Sequence, residues 1–155
     1  GRRMAEGGAD VLALIADVGA LRLGREGAPA PLTGVPHVLP LDQQEQLAAD
    51  LVVAGADIIQ TEGGTSAKPF SAGSLGLIEK AAPTLAAAHS ISRAVSVPVL
   101  CASGLSSVTL PMAIAAGAAG VGVGSAVNKL NDQLAMVAVV RGLREALGSA
   151  VKAAV

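Results

Sequence analysis

Apolar and polar positions along this chain follow two alternating rhythms. Three segments, "EGGADVLALI" (6–15), "VAGADIIQT" (53–61) and "AAGAAGVGVG" (115–124), share one shape: a glycine, then alanine, then an apolar run rich in β-branched residues. A glycine where a helix should stop is suited to the left-handed C′ position, so Gly8, Gly55 and Gly117 are predicted to end helices and lead directly into strands. The unit that repeats is therefore an αβ junction.

Helical periodicity fills the gaps between these junctions. Residues 41–54, "LDQQEQLAADLVVA", offer Asp42 as an N-cap with Glu45 as its capping-box partner, and place Leu47, Leu51 and Ala54 on one face. A second helix is predicted over 75–94, with Pro83 marking a kink or a new start, and a third over 107–116, where Pro111 is tolerated in the first turn. The last spans 131–147, with Asn131 or Asp132 as cap and Leu134, Val137, Leu143 and Leu147 facing inward. From residue 35 onward the order is strand and helix in strict alternation, the pattern of a parallel sheet covered by helices. Residues 16–34, rich in Gly and Pro, break it. There a strand at 9–15 is followed by a loop in place of a helix. The chain thus divides into an N-terminal segment, 1–34, and a (β/α)4 unit, 35–155.

Composition narrows the class. The chain has 155 residues, 52% of them apolar and 15% charged, with Phe70 its one aromatic side chain. This suits a core of small and branched residues, as the covered faces of a parallel sheet have. A net charge of −1 without a basic cluster gives no reason to expect nucleic acid. The small-residue run 112–127 is too rich in glycine for a membrane span, and residues 1–15 lack the pattern of a signal peptide. The single cysteine, Cys101, cannot form an internal disulfide and fits a reducing compartment.

With the alternation established, "VPHVLPLDQQEQLAADLVVAGADIIQTEGG", "AAPTLAAAHSISRAVSVPVLCASGLSS" and "AIAAGAAGVGVGSAVNKLND" resemble the C-terminal half of the Ycf23 family of plastids and cyanobacteria. "IIQTEGG", "ASG" and "GVGVGSAV" carry the resemblance most sharply. It implies a (β/α)8 barrel of the aldolase or ribulose-phosphate-binding kind, and a plastid stroma or cyanobacterial cytoplasm as location. It assigns no catalytic residue. A full barrel takes about 250 residues, so about five strands here amount to a partial barrel of the TIM-barrel type. Its missing N-terminal half, or a second copy, is the partner expected to cover the open edges.

Candidate chemistry gathers where the last strands end. In barrels of this kind phosphates often bind where the loops after the last two strands meet a short helix, because glycine lets backbone N–H groups approach an anion and a helix N-terminus adds partial positive charge. Ser103, Gly104 and Ser106 after one strand, and Gly124 and Ser125 after the next, are the phosphate-binding candidates. The alternative is that Gly120, Gly122 and Gly124 let a helix pack closely on a strand, and on either reading Gly124 should resist a larger residue. "GVGVGSA" lacks the following strand and acidic residue of a dinucleotide site.

Strand alternation puts Ile58, Gln60 and Glu62 on one side and Ile59 and Thr61 on the other. Facing the lumen, Glu62 is the candidate general base on a sugar phosphate or a ligand for a ribose hydroxyl; the alternative is a solvated or capping loop glutamate. Gln60 and His37 are further pocket candidates. Lys68 falls in the loop "GGTSAKPF", where nothing would depress its pKa for Schiff-base chemistry. Cys101 reads as a buried inert thiol on the same strand side as Ser103, and His89 as a helix residue without ligand partners. No metal pattern and no cofactor are indicated. The expected function is binding of a small phosphorylated metabolite, with or without aldolase- or isomerase-type chemistry. The rivals are a non-catalytic binding or regulatory module and an inactive fragment of a longer barrel.

Overall fold

The computed structural model describes residues 23–25, 28–30, 32–63 and 68–153. The strand expected at 9–15 and the Gly8 junction lie outside them. In chain order the elements are β1 (Leu23–Arg25), β2 (Ala28–Ala30), β3 (Leu32–Val35), α1 (Leu41–Val53), β4 (Ile58–Thr61), α2 (Gly73–Ala94), β5 (Val99–Ala102), α3 (Leu110–Ala115), β6 (Gly120–Gly122), α4 (Ser125–Asn128) and α5 (Gln133–Ala153). Within the segment read as loop, β1 and β2 form a short antiparallel pair, Leu23 opposite Ala30. The other four strands are parallel and lie side by side in sequence order. The molecule is an α/β protein of consecutive (β/α) units, a partial TIM-type barrel.

The two described junctions form as their glycines require. Gly55 and Gly117 have φ of 104° and 103°. At each, the glycine N–H and the next one reach back to close a Schellman motif: Gly55 N to Val52 O and Ala56 N to Leu51 O, Gly117 N to Ile114 O and Ala118 N to Ala113 O. The chain is thereby turned straight from helix into strand.

Helix starts differ from the expected ones. Pro40, not Asp42, is the N-cap residue of α1, and no side chain caps it. The ring of Pro40 fixes the entry, which leaves Asp42 inside the first turn, while Glu45 accepts a hydrogen bond from Ser90 Oγ on α2. The inward face of α1 centres on Gln44 and Ala48, and Ala54 is exposed. Helix α2 runs unbroken through Pro83. In α5 the Asp132 carboxylate accepts from Ala135 N at 2.7 Å, as a cap should, but Leu134 is 80% exposed because it precedes the turn that first meets the core.

The sheet separates two environments. On the helix side, Val35, Ile59 and Val99 pack with Ala48, Ala87 and Ile91, and further along Cys101 packs with Ala81, Ala88, Leu110 and Ala113. Small residues on the helices let them lie close to the strands. On the opposite side, Leu32, Ile58 and Leu100 form a smaller cluster. Beyond it, toward the C-terminal ends of the strands, the side chains become polar.

Candidate functional site

The tips of β4 and β5 are fastened to α2 by a closed ring of hydrogen bonds. Ala102 N donates to Thr61 Oγ1 at 3.3 Å, the Thr61 and Thr84 hydroxyls meet at 2.7 Å, and Thr84 Oγ1 donates to Ala102 O at 2.5 Å. Because the Thr84 proton goes to the carbonyl, the Thr61 hydroxyl must supply the proton between the two. Both threonines are fully buried, so the ring satisfies groups that would otherwise be costly.

Just past this ring the backbone changes direction sharply. Gly63 lies so close that a Cβ would stand 2.9 Å from Thr84 Cβ and 3.0 Å from Ser103 O. Ser103 and Gly104 both take positive φ, 74° and 73°. A Cβ on Gly104 would meet Lys80 O at 2.8 Å. Ser103 is a non-glycine residue in the left-handed region, a conformation that surrounding structure must hold in place.

These turns form one wall of an open cleft of about 680 Å³ at the C-terminal ends of the parallel strands. His37 follows β3, Gln60 and Glu62 close β4, Ser103 and Gly104 follow β5, and Gly124 and Ser125 follow β6; all seven line it. Of the residues singled out in the sequence, Ser106 is not brought there. Its N–H donates to Thr109 Oγ1 at 2.9 Å and its carbonyl receives Leu110 N, so it shapes the turn into α3.

Two lining residues carry charge that sequence reading did not single out, Lys80 on α2 and Lys129 after α4. Nothing in their local sequence marks them. They arrive through the packing of α2 on β5 and the turn of α4 on β6. In the first turn of α4 the N–H groups of Ser125 and Ala126 have no carbonyl within their own helix, while Val127 and Asn128 donate to Gly124 O.

Gln60 is 6% exposed, and its Oε1 has no hydrogen-bond partner. It sits mid-sheet, with Gly34 and Leu100 as its cross-strand partners. Strand alternation holds as expected here: Ile59 and Thr61 face the helices, and Gln60 and Glu62 face the cleft.

Other expectations change. Gly124 has φ of −110°, and a Cβ there would meet nothing within 4 Å, so no steric reason bars a larger residue. Gly120 does not make room for a helix: its Cβ would lie 3.0 Å from Leu100 Cδ1 on the neighbouring strand. Cys101 packs on the helix side of β5, and Ser103, past the end of the strand, lines the cleft. The thiol is buried against Thr84, and burial pushes its pKa up, the state of an unreactive cysteine. Lys68 is exposed, as is His89, whose Nδ1 lies 2.9 Å from Arg93 Nη1. Among the described residues no group of three His, Cys, Asp or Glu side chains is able to hold a metal ion, and no helix is long and apolar enough to cross a membrane.

Comparison with known proteins fits this architecture. The uncharacterized protein ycf23 of Porphyra purpurea is 36% identical over 115 residues, 74% of this chain and 43% of that protein. The uncharacterized protein ycf23 of Cyanophora paradoxa is 38% identical over 128 residues, 83% of this chain and 51% of its own length. The chain thus spans about half the length of the curated relatives it matches. Among solved structures, the BexX/CysO complex of Amycolatopsis orientalis superposes with a TM-score of 0.53 at 16% identity, over 81% of this chain and 43% of that one, a likeness of fold alone. (S)-3-O-geranylgeranylglyceryl phosphate synthase from Thermoplasma acidophilum, in complex with sn-glycerol-1-phosphate, reaches 0.47 at 16% identity, over 72% of this chain and 40% of that one. The model of the family described as protein of unknown function (DUF561) matches residues 11–153, and the chain belongs to that family, the family of the ycf23 proteins.

Proposed function

We propose that the cleft binds a small phosphorylated metabolite, with the phosphate at the ends of β5 and β6. The observation that carries this reading is the convergence, in one cleft, of Lys80, Lys129 and the unpaired first-turn amides of α4. Ammonium groups and free backbone N–H groups together are what an oxyanion requires, and a cleft of this volume suits a small metabolite. Ser103, Gly104, Gly124 and Ser125 supply hydroxyl and backbone contacts. Glu62, which lines the same cleft as His37, is the base in chemistry of the aldolase or isomerase class. Because the fold hosts many reactions, that class rests on analogy.

The outer edges of β3 and β6 carry no partner strand among the described residues, so this reading includes closure of the sheet by further strands or by a second copy. The boundary between residues 1–34 and 35–155 belongs to the same proposal, as does a plastid stroma or cyanobacterial cytoplasm as its location. The relatives from Porphyra purpurea and Cyanophora paradoxa support that location.

Thermal shifts with inorganic phosphate, and with ribose 5-phosphate and FMN each against its phosphate-free parent, test the reading. A phosphate ester at 100 times its dissociation constant should stabilise by about 2.7 kcal/mol. Gly124→Val should fold normally and lose the shift. Stabilisation without turnover, unchanged in Glu62→Gln, favours a binding module over an enzyme; no shift with any anion favours an inactive fragment.

A further inference from the structure

Gln60 buries an amide oxygen that has no hydrogen-bond partner. Its neighbours on the same side of the sheet, Leu32, Ile58 and Leu100, are apolar and pack together, and an apolar residue at position 60 would extend that cluster without leaving a polar atom stranded. Instead that position, one of those lining the cleft, carries an amide whose oxygen is buried without a partner. A group of that kind is satisfied by something that enters the cleft.

The chemistry of the entering group follows from what stands beside it. Gln60 Oε1 and the Glu62 carboxylate are both acceptors, so this end of the cleft repels phosphate oxygens and calls for a donor. A hydroxyl is the common group that donates to both and can also accept from the Gln60 amide N–H. The cationic end, at Lys129 and the first turn of α4, has the opposite demand.

We propose that Gln60 is a specificity-determining residue that selects ligands bearing a hydroxyl on the carbon chain attached to the phosphate, so that the cleft takes phosphate esters of polyols and rejects plain alkyl phosphates. This rests on the phosphate reading above and adds the class of ligand to it. Rejection arises because an alkyl chain leaves the buried amide oxygen without a donor, and sites built to pair such an atom discriminate strongly against ligands that lack the partner.

Calorimetric titration of the wild-type chain, Gln60→Met and Gln60→Leu with inorganic phosphate, glycerol 3-phosphate and propyl phosphate tests the inference. The last two probes differ only in two hydroxyls. Wild type should bind glycerol 3-phosphate at least about tenfold more tightly than propyl phosphate. Gln60→Met should bring the two within about twofold while its affinity for inorganic phosphate stays unchanged. Binding of inorganic phosphate without discrimination by wild type, or a preference that survives Gln60→Met and Gln60→Leu, overturns the role of Gln60 alone. Absence of binding by all three probes overturns the phosphate reading and this inference with it. The wild-type comparison stands by itself even where a variant fails to fold.

Discussion

Gly34 on β3 and Glu62, the residue after β4, stand so that a Cβ on Gly34 would lie 3.0 Å from Glu62 Oε1. The space left by the missing side chain is where the carboxylate rests, and it sets how Glu62 enters the cleft. Gly34→Ala should therefore shift the Glu62 side chain, which is flexible and can yield, rather than disrupt the sheet. Unfolding in denaturant should change by less than about 1 kcal/mol. Ligand affinity or turnover that depends on Glu62 should fall, and a titration beside the denaturation curve separates the two effects.

Two glycines of the cleft should respond in opposite ways. Gly104 combines φ of 73° with a prospective Cβ 2.8 Å from Lys80 O, so Gly104→Ala should destabilise by about 2 kcal/mol or more. Gly124→Ala meets open space at negative φ and should be neutral or slightly stabilising, by up to about 1 kcal/mol, through the unfolded chain. Denaturant midpoints of the two variants check this directly.

That contrast also shows which features can be read from sequence. Gly55 and Gly117 were legible because a helix stop and a strand start flank each of them, and the conformation is a local requirement. Gln60 and Glu62 were legible because alternation within a strand is local too. The demand on Gly104 comes from Lys80, which is 24 residues away in the sequence, and the freedom of Gly124 comes from empty space; neither leaves a local trace. Lys80 and Lys129 reach the cleft only through the docking of helices. The capping box proposed for Asp42 and Glu45 failed because Pro40 fixes the start of α1 two residues earlier, and Ser106 went to a turn with Thr109 that residue spacing alone does not distinguish from a cleft loop.

The threonine ring should hold the strand tips. Thr84→Val keeps shape but leaves the Thr61 proton without its acceptor and Ala102 O with the Gly63 N–H as its remaining donor, which should cost about 1–3 kcal/mol. Thr84→Ser should retain most of that stability. Equilibrium unfolding of both variants provides the comparison.

Glu79 predicts a pH dependence. Its carboxylate accepts from Ser71 N, Ser71 Oγ and Phe70 N at 3.0, 2.7 and 2.7 Å, and these bonds, those from Ser71 foremost, hold its pKa below the ordinary value of 4.5. A carboxyl whose pKa is lowered on folding stabilises the native state fully above its unfolded pKa and loses that contribution as pH falls through the folded one. The segment leading into α2 should thus loosen below the usual glutamate range. Protection of the Phe70 and Ser71 amides against exchange, relative to the intrinsic rate at each pH, should fall there in wild type and be lower already at neutral pH in Glu79→Gln.

A crystal structure grown with saturating glycerol 3-phosphate tests the central claim most directly. The phosphate should lie at hydrogen-bond distance, about 2.7–3.1 Å, from the N–H groups of Ser125 and Ala126 and from the Lys129 ammonium, with a ligand hydroxyl on Gln60 Oε1. A cleft that stays empty at saturation, or a phosphate seated elsewhere on the molecule, contradicts it.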